Sequence, residues 1–306
     1  MSIIKSIRKL FCQPDAALRK ILRNCSPWIK SDKLYLSTMY FLSHSSLLNW
    51  KNPKTFNEKQ NWLKLWSKDK GLEKYVDKYD VRQYVREIIG EEYLIPCLGI
   101  WNKVDEINFD DMPSKYVLKT THDSGGVVIV DNQKPTEEQI SFLKTHLKTN
   151  YFPREREYPY KNVPGRVIAE EFLQDSHGGD IRDYKFFCFN GKPRLLFIAS
   201  DRFKSADEKP KFDYFDMELN HLDLRSKGHK NNDSLKHINI TNFEKMKELS
   251  ARLSKGFPFA RIDFYNINGK IYFGEITFFH DAGIVPMVPS KWNKILGDWI
   301  ILPELV

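Results

Sequence analysis

Asp263 and Glu275 lie in two apolar, strand-like runs, Arg261-Ile262-Asp263 and Gly274-Glu275-Ile276-Thr277, joined through the turn-forming pair Asn268-Gly269. A hairpin closed at that pair brings the two carboxylates near one another, and strand alternation points Arg261 and Asp263 to one face. Two such charges on neighbouring strands repel unless a cation lies between them. The pair therefore reads as a metal site, or as a solvated face with Arg261 as a structural ion-pair partner. Lys119 ends another apolar run, Tyr116-Val117-Leu118, ahead of Asp123-Ser124-Gly125-Gly126 and the run Val127 to Val130. Strand, lysine, glycine turn and strand make a hairpin whose backbone amides can approach phosphates, or a plain turn. The Walker pattern GxxxxGK[ST] is absent. Glu170 and Glu171 interrupt the apolar run from Val167 to Leu173. A buried acid there needs a partner such as an adenine amino group, whereas an edge strand would leave both acids in solvent. A nucleoside triphosphate requires cations, approachable backbone amides and hard oxygen ligands for Mg2+; all three occur here, in chain order.

The elements that must hold these residues follow from periodicity. Thr55 and Glu58 form a capping box ahead of a helix carrying Trp62, Leu63, Leu65 and Trp66. Apolar residues from Tyr75 to Ile89 recur at helical steps and predict one helix stopped by Gly90. Strands are expected at 94–100, 116–119, 127–130, 167–173, 184–190, 193–199, 261–266 and 270–277, with hairpin turns at Asn190-Gly191 and Asn268-Gly269. Helices are expected at about 136–149 and 241–255. The stretches 153–165 and 204–239 read as a polar loop and a surface excursion. Ile3, Ile4, Ile7, Leu10 and Phe11 alternate with Lys5, Arg8 and Lys9 as a basic amphipathic helix, which suits an anionic membrane surface or packing on the body.

Composition narrows the class. With 41% hydrophobic and 29% charged residues the chain reads as globular. Cys12, Cys25, Cys97 and Cys188 form no CxxC pair and no zinc spacing, which fits a reducing cytosol. The net charge of +8 suits an acidic glycan or an anionic lipid surface, and no nucleic-acid-binding motif accompanies it.

Taken together, the stretches NPKTFNEKQNWLKLW, VDKYDVRQYVREIIGEEYLIPCLGIW, YVLKTTHDSGG, VIAEEFL, DYKFFCFNGKP, GFPFARIDFYNINGKIYFGEITFFH and LGDWIILP resemble the ATP-grasp fold, in its TupA-like branch linked to teichuronopeptide and surface-polysaccharide synthesis. The resemblance implies an α+β protein in which two α/β lobes with antiparallel sheets clasp ATP. A helical segment at 1–50 would precede lobes at 51–169 and 170–306. It implies phosphate-binding roles for Arg82, Lys119, Ser124, Gly125 and Gly126, an adenine hinge at Glu170, Glu171, Phe172 and Leu173, and a cleft-facing Lys185. Arg261 and Lys119 would be catalytic, and Asp263 and Glu275 would hold Mg2+. The family's usual asparagine ligand is Thr277 here, with His280 and Asp281 as alternative donors. The implied reaction is ATP-dependent joining of a carboxylate to an amine through an acyl phosphate. The acceptor would be an acidic glycan or peptidic carboxylate in capsule or O-antigen assembly, with the protein cytoplasmic or resting on the inner membrane face through residues 3–11. Two alternatives remain open: a glycosyltransferase-like protein, which lacks a clear DxD on a strand end here, and a nucleotide-binding protein without turnover.

Overall fold

A computed structural model describes residues 14–175, 182–200, 210–235 and 238–304, so the amphipathic segment 3–11 lies outside the described residues. The chain runs through helices α1 (Pro14–Cys25) and α2 (Asp32–His44), then α3 (Phe56–Trp66), whose capping box between Thr55 and Glu58 forms as expected. The predicted helix over 75–89 is instead broken into α4 (Glu73–Val76) and α5 (Val81–Ile88). Asp77 causes the break. Its carboxylate accepts the backbone N–H groups of Tyr79 and Asp80 at 2.7 and 2.9 Å, closing a turn that competes with the helix.

A small antiparallel sheet follows, from β1 (Cys97–Trp101), β2 (Tyr116–Thr120), β3 (Val127–Val130) and β4 (Val167–Glu171) in the order β1-β4-β2-β3. One face buries Tyr116, Leu118, Val128, Val130, Val167 and Ala169 with Leu143 of α6 (Glu137–Leu147). Alternation then sends Val117, Lys119 and Glu170 to the other face. β4 is an inner strand, which rules out the edge-strand reading of its two acids.

The large sheet has the order β10-β9-β5-β6-β7, from β5 (Asp183–Phe189), β6 (Lys192–Ser200), β7 (Lys211–Phe215), β9 (Phe259–Ile267) and β10 (Lys270–Thr277). Its back carries Phe186, Ile262 and Phe264 under Phe243, Met246, Leu249 and Leu253 of α8 (Phe243–Leu253). Its front divides. Phe187, Phe189 and Phe259 pack under Phe56 of α3, whose ring centroid lies 5.3 Å from that of Phe259, while Asp183, Lys185, Arg261, Asp263, Glu275 and Thr277 share the remaining front. A two-stranded ribbon of β8 (Arg225–Ser226) and β11 (Met287–Val288) and the helix α9 (Lys291–Trp299) complete the described fold.

Three expectations change. The stretch 204–239 was expected as a surface excursion, yet it contributes β7, with Tyr214 and Phe215 fully buried. The polar stretch 153–165 is largely interior: Glu155, Arg156, Glu157 and Tyr158 are all buried. Their partners are distant in sequence, with Arg156 on Asp32 at 2.9 Å and Lys64 donating to the Glu155 carbonyl at 2.6 Å. The packing also cuts across the expected unit 51–169. Residues from Phe56 to Leu94 join the core of the large sheet, and the small sheet builds a separate core from Val104 to Ala169.

Candidate active site

The front of the large sheet owes its charge cluster to one extra residue. Regular pairing outward from Asn268-Gly269 would set Gly274 opposite Asp263 and put Glu275 on the apolar back with Ile262. A bulge between Phe273 and Glu275 instead pairs Glu275 with Asp263 and Thr277 with Arg261. Gly274 suits it, since a Cβ there would come within 3.1 Å of the Asp263 carbonyl oxygen. All four side chains therefore share one face.

Arg261 organises them. Its Nε and Nη2 donate to Asp263 Oδ1 and Oδ2 at 2.7 and 2.8 Å, and Nη2 also reaches Glu275 Oε1 at 2.6 Å. Lys185 donates to Asp263 Oδ2 and lies 3.3 Å from Asp183. Thr277 Oγ1 donates to Glu275 Oε1 at 3.2 Å, which orients that carboxylate. Burial works against ionisation of Asp263, but Arg261 and Lys185 outweigh it and hold its carboxyl below the usual range. Burial likewise opposes the charge on Arg261, and Asp263 and Glu275 reverse the balance and raise its pKa. His280 accepts from Arg261 Nη1 through Nδ1 at 3.3 Å, and burial pushes its pKa down to about 4.

The glycine loop faces this cluster. Asp123 is buried, and its carboxylate takes hydrogen bonds from Thr120 Oγ1 and His146 Nδ1, fixing the turn between β2 and β3. Gly125 sits at φ +96, and a Cβ on Gly126 would fall 1.8 Å from Thr120 Oγ1, so the second glycine is sterically required. Ser124 and Gly125 are exposed at the tip. Lys78 underpins the loop by donating to the carbonyls of Thr120, at 2.8 Å, and Asp123. Burial lowers its pKa, with Glu275 and Asp123 the largest compensating charges. Lys78, Asp123, Ser124, Arg261, Glu275 and Thr277 line one cleft of about 210 Å³.

The remaining predicted residues form a second group. Glu170 is buried between two cations, Lys119 at 2.7 Å and Arg82 at 3.2 Å. Glu171 is exposed, and its N–H donates to the Pro96 carbonyl at 3.1 Å; Phe172 and Leu173 follow half-buried. A larger cavity of about 930 Å³ opens beside Arg82, Pro96 and Cys97, but neither Arg261 nor Glu275 lines it. The smaller cleft is the one that holds reactive groups.

The sequence model of the family described as TupA-like ATPgrasp matches residues 58–301. The chain belongs to the TupA-like ATPgrasp family. Its fold is the ATP-grasp fold, with a helical N-terminal region. Among solved structures, D-alanine–D-alanine ligase from Bacillus anthracis complexed with ATP is similar at 17% identity and a TM-score of 0.40, over 67% of this chain and 55% of that one. The Helicobacter pylori D-alanine–D-alanine ligase is similar at 14% identity and 0.40, over 74% and 58%. The ATP-grasp ligase PsnB complexed with minimal precursor, Mg and ADP is similar at 10% and 0.38, over 72% and 57%. The TupA-like chain thus spans little more than half the length of these ligases. A comparison with curated proteins found no match.

As a site for Mg2+, the TupA-like cluster supplies hard oxygens only, the type that ion prefers. Glu275 keeps its side chain 45% exposed with Oε2 free of any hydrogen bond or ion pair among the described residues, while both Asp263 oxygens already face cations. Among the described residues no group of three acidic, histidine or cysteine side chains gathers. Two carboxylates and a hydroxyl fit an ion whose coordination substrate phosphates complete. Lys78 and Glu157 both line this cleft and were both missed in the sequence. Lys78 hid inside an apparently continuous helix, and Glu157 inside an apparent loop.

Proposed function

We propose that this protein is an ATP-dependent carboxylate–amine ligase acting on an acidic glycan or a peptidic carboxylate in bacterial surface-polysaccharide assembly. One observation carries the proposal: Arg261, Glu275 and Thr277 line the same cleft as the Lys78-anchored glycine loop, and Arg261 bridges Glu275 to Asp263. Phosphoryl transfer needs little covalent help from the protein beyond positioning and charge stabilisation, and that is what these groups offer. Lys119 and Arg82, paired with Glu170 here, would turn to the nucleotide phosphates, leaving Glu170 and the backbone of 171–173 to the adenine. Asp263 and Glu275, with Thr277, would hold Mg2+, which would neutralise phosphate charge as it develops. Arg261 stays beside the carboxylates and offers its guanidinium to the acyl phosphate oxygens. The substrate carboxylate attacks the γ-phosphorus and releases ADP; an amine then adds to the acyl carbon and phosphate departs.

The cleft of about 210 Å³ falls short of the ~300 Å³ at which small-molecule sites usually begin. Nucleotide entry would therefore widen this cleft, by parting the glycine loop from the front of the large sheet. The basic balance of the chain suits an acidic glycan on a membrane-bound carrier, with segment 3–11 as a surface anchor. The test is incubation with ATP, Mg2+ and pooled uronic-acid, peptide and amino-acid candidates. ADP and phosphate release that depends on both a carboxylate and an amine supports the ligase. UDP release from a sugar nucleotide would point to a transferase. The prior engagement of Asp263 by Arg261 and Lys185 favours one rival reading, nucleotide binding without turnover, and ATP binding with no ADP release would establish it.

A further inference from the structure

Beyond the carboxylates, the same cleft continues into a part that the phosphoryl chemistry does not use. Its wall is Tyr151, Glu157, Tyr160 and Asp281. Glu157 is only 4% exposed, yet it lines the cleft, and no hydrogen bond or ion pair joins its carboxylate to any described residue. Tyr151 and Tyr160 stand beside it with ring centroids 5.1 Å apart at 61°. We infer that this end of the cleft is the subsite for the primary ammonium group of the amine substrate, with Glu157 as its buried counter-ion and the two tyrosines as aromatic walls. The inference rests on the ligase reading above and adds a substrate class to it.

The chemistry supports the assignment. A buried acid without a bonded partner is costly, and a ligand cation is the partner that removes the cost. Aromatic faces beside a carboxylate are the usual setting for an ammonium group. The wall is also held still. Arg156 bonds Asp32 and the Ser26 and Ile29 carbonyls, Tyr35 donates to the Arg154 carbonyl at 2.6 Å, and Lys64 ties Glu155 to Ala282. Charges facing Glu157 come from Lys64 on α3, Glu155 on α7 (Phe152–Glu155), and Arg261 and Glu275 on the large sheet. Burial is the largest influence and lifts the Glu157 carboxyl to about 8, and the positive charge of an arriving ammonium group lowers it again, so that the group facing the ligand is the carboxylate. The entering RNH3+ passes one proton to Glu157. The neutral amine then forms the C–N bond as the C–O bond to phosphate breaks, and the second nitrogen proton leaves with the phosphate.

The test is calorimetric titration of the full chain with ethylammonium chloride at constant ionic strength, sodium chloride serving as the control. Saturable binding is expected for the wild type, weakened at least ~10-fold by Glu157→Gln and to a lesser degree by Asp281→Asn. Thermal unfolding of each variant checks that it is folded, and Asp281→Asn keeps the test open if Glu157→Gln is not. Equal affinities in the wild type and the folded variants, or no saturable binding by the wild type, overturn the subsite. Failure of the ligase reading has a different signature, because ADP release would then be absent while ethylammonium still bound.

Discussion

Acidification should weaken this fold through His280, a side chain the charge cluster needs neutral. Its Nδ1 accepts from Arg261, so Nε2 carries the proton and faces Tyr214 Oη and Asp281 Oδ2, each at 3.3 Å. A second proton would set a new cation against Arg261 inside the protein, and burial accordingly lowers the pKa from 6.5 to about 4. The folded value is depressed, so the stability it represents is present above pH 6.5 and is lost as pH falls towards 4, because the unfolded chain takes up a proton that the folded chain refuses. At ~1.4 kcal/mol per unit the full loss is about 3.4 kcal/mol, and about 2 kcal/mol of it is reached by about pH 5. Urea unfolding of the wild type and His280→Gln at about pH 7.5 and about pH 5 isolates the contribution of His280, since glutamine does not titrate. The wild type should lose about 2 kcal/mol more than the variant over that interval. Equal losses in the two proteins would refute a buried, neutral His280.

Lys78→Met removes the bonds to the Thr120 and Asp123 carbonyls, and should loosen the glycine loop at a cost of about 2 kcal/mol. Hydrogen exchange at 121–126 should rise in that variant while the large sheet stays protected; unchanged exchange would show that Lys78 does not anchor the loop. Gly126→Ala would place a Cβ 1.8 Å from Thr120 Oγ1 on the present backbone, and should destabilise the protein by roughly 1–3 kcal/mol in thermal unfolding. A wild-type melting temperature would mean the loop does not hold this turn.

Much of the fold was legible because its signals are local. Asn190-Gly191 and Asn268-Gly269 mark their hairpins, with Asn190 and Asn268 in the left-handed region that such turns need. Thr55 and Glu58 announce their helix because both halves of a capping box lie within one turn. The nearness of Asp263 and Glu275 followed from the same hairpin, but its cause did not. A bulge is set by the packing of both strands, and Gly274 alone does not encode one. The helix break at Asp77 was masked by the apolar period of its neighbours, and only the Asp77 side-chain bonds reveal it. The stretch around Glu157 is dense in charge, which locally reads as solvent-exposed. Its burial depends on Asp32, Tyr35 and Lys64, partners about 90 or more residues away that no local pattern can supply.

The central claim is that Asp263 and Glu275 hold a nucleotide-bound divalent ion for turnover. The direct measurement is ATP binding with and without Mg2+, together with ADP release, in the wild type, Asp263→Ala and Glu275→Gln. The wild type should bind ATP more tightly with Mg2+ than without it and release ADP. Both variants should lose that dependence on Mg2+, and their ADP release should fall at least ~100-fold while their thermal unfolding remains cooperative. Folded variants that keep near wild-type Mg2+ dependence and turnover would contradict the assignment of these two carboxylates.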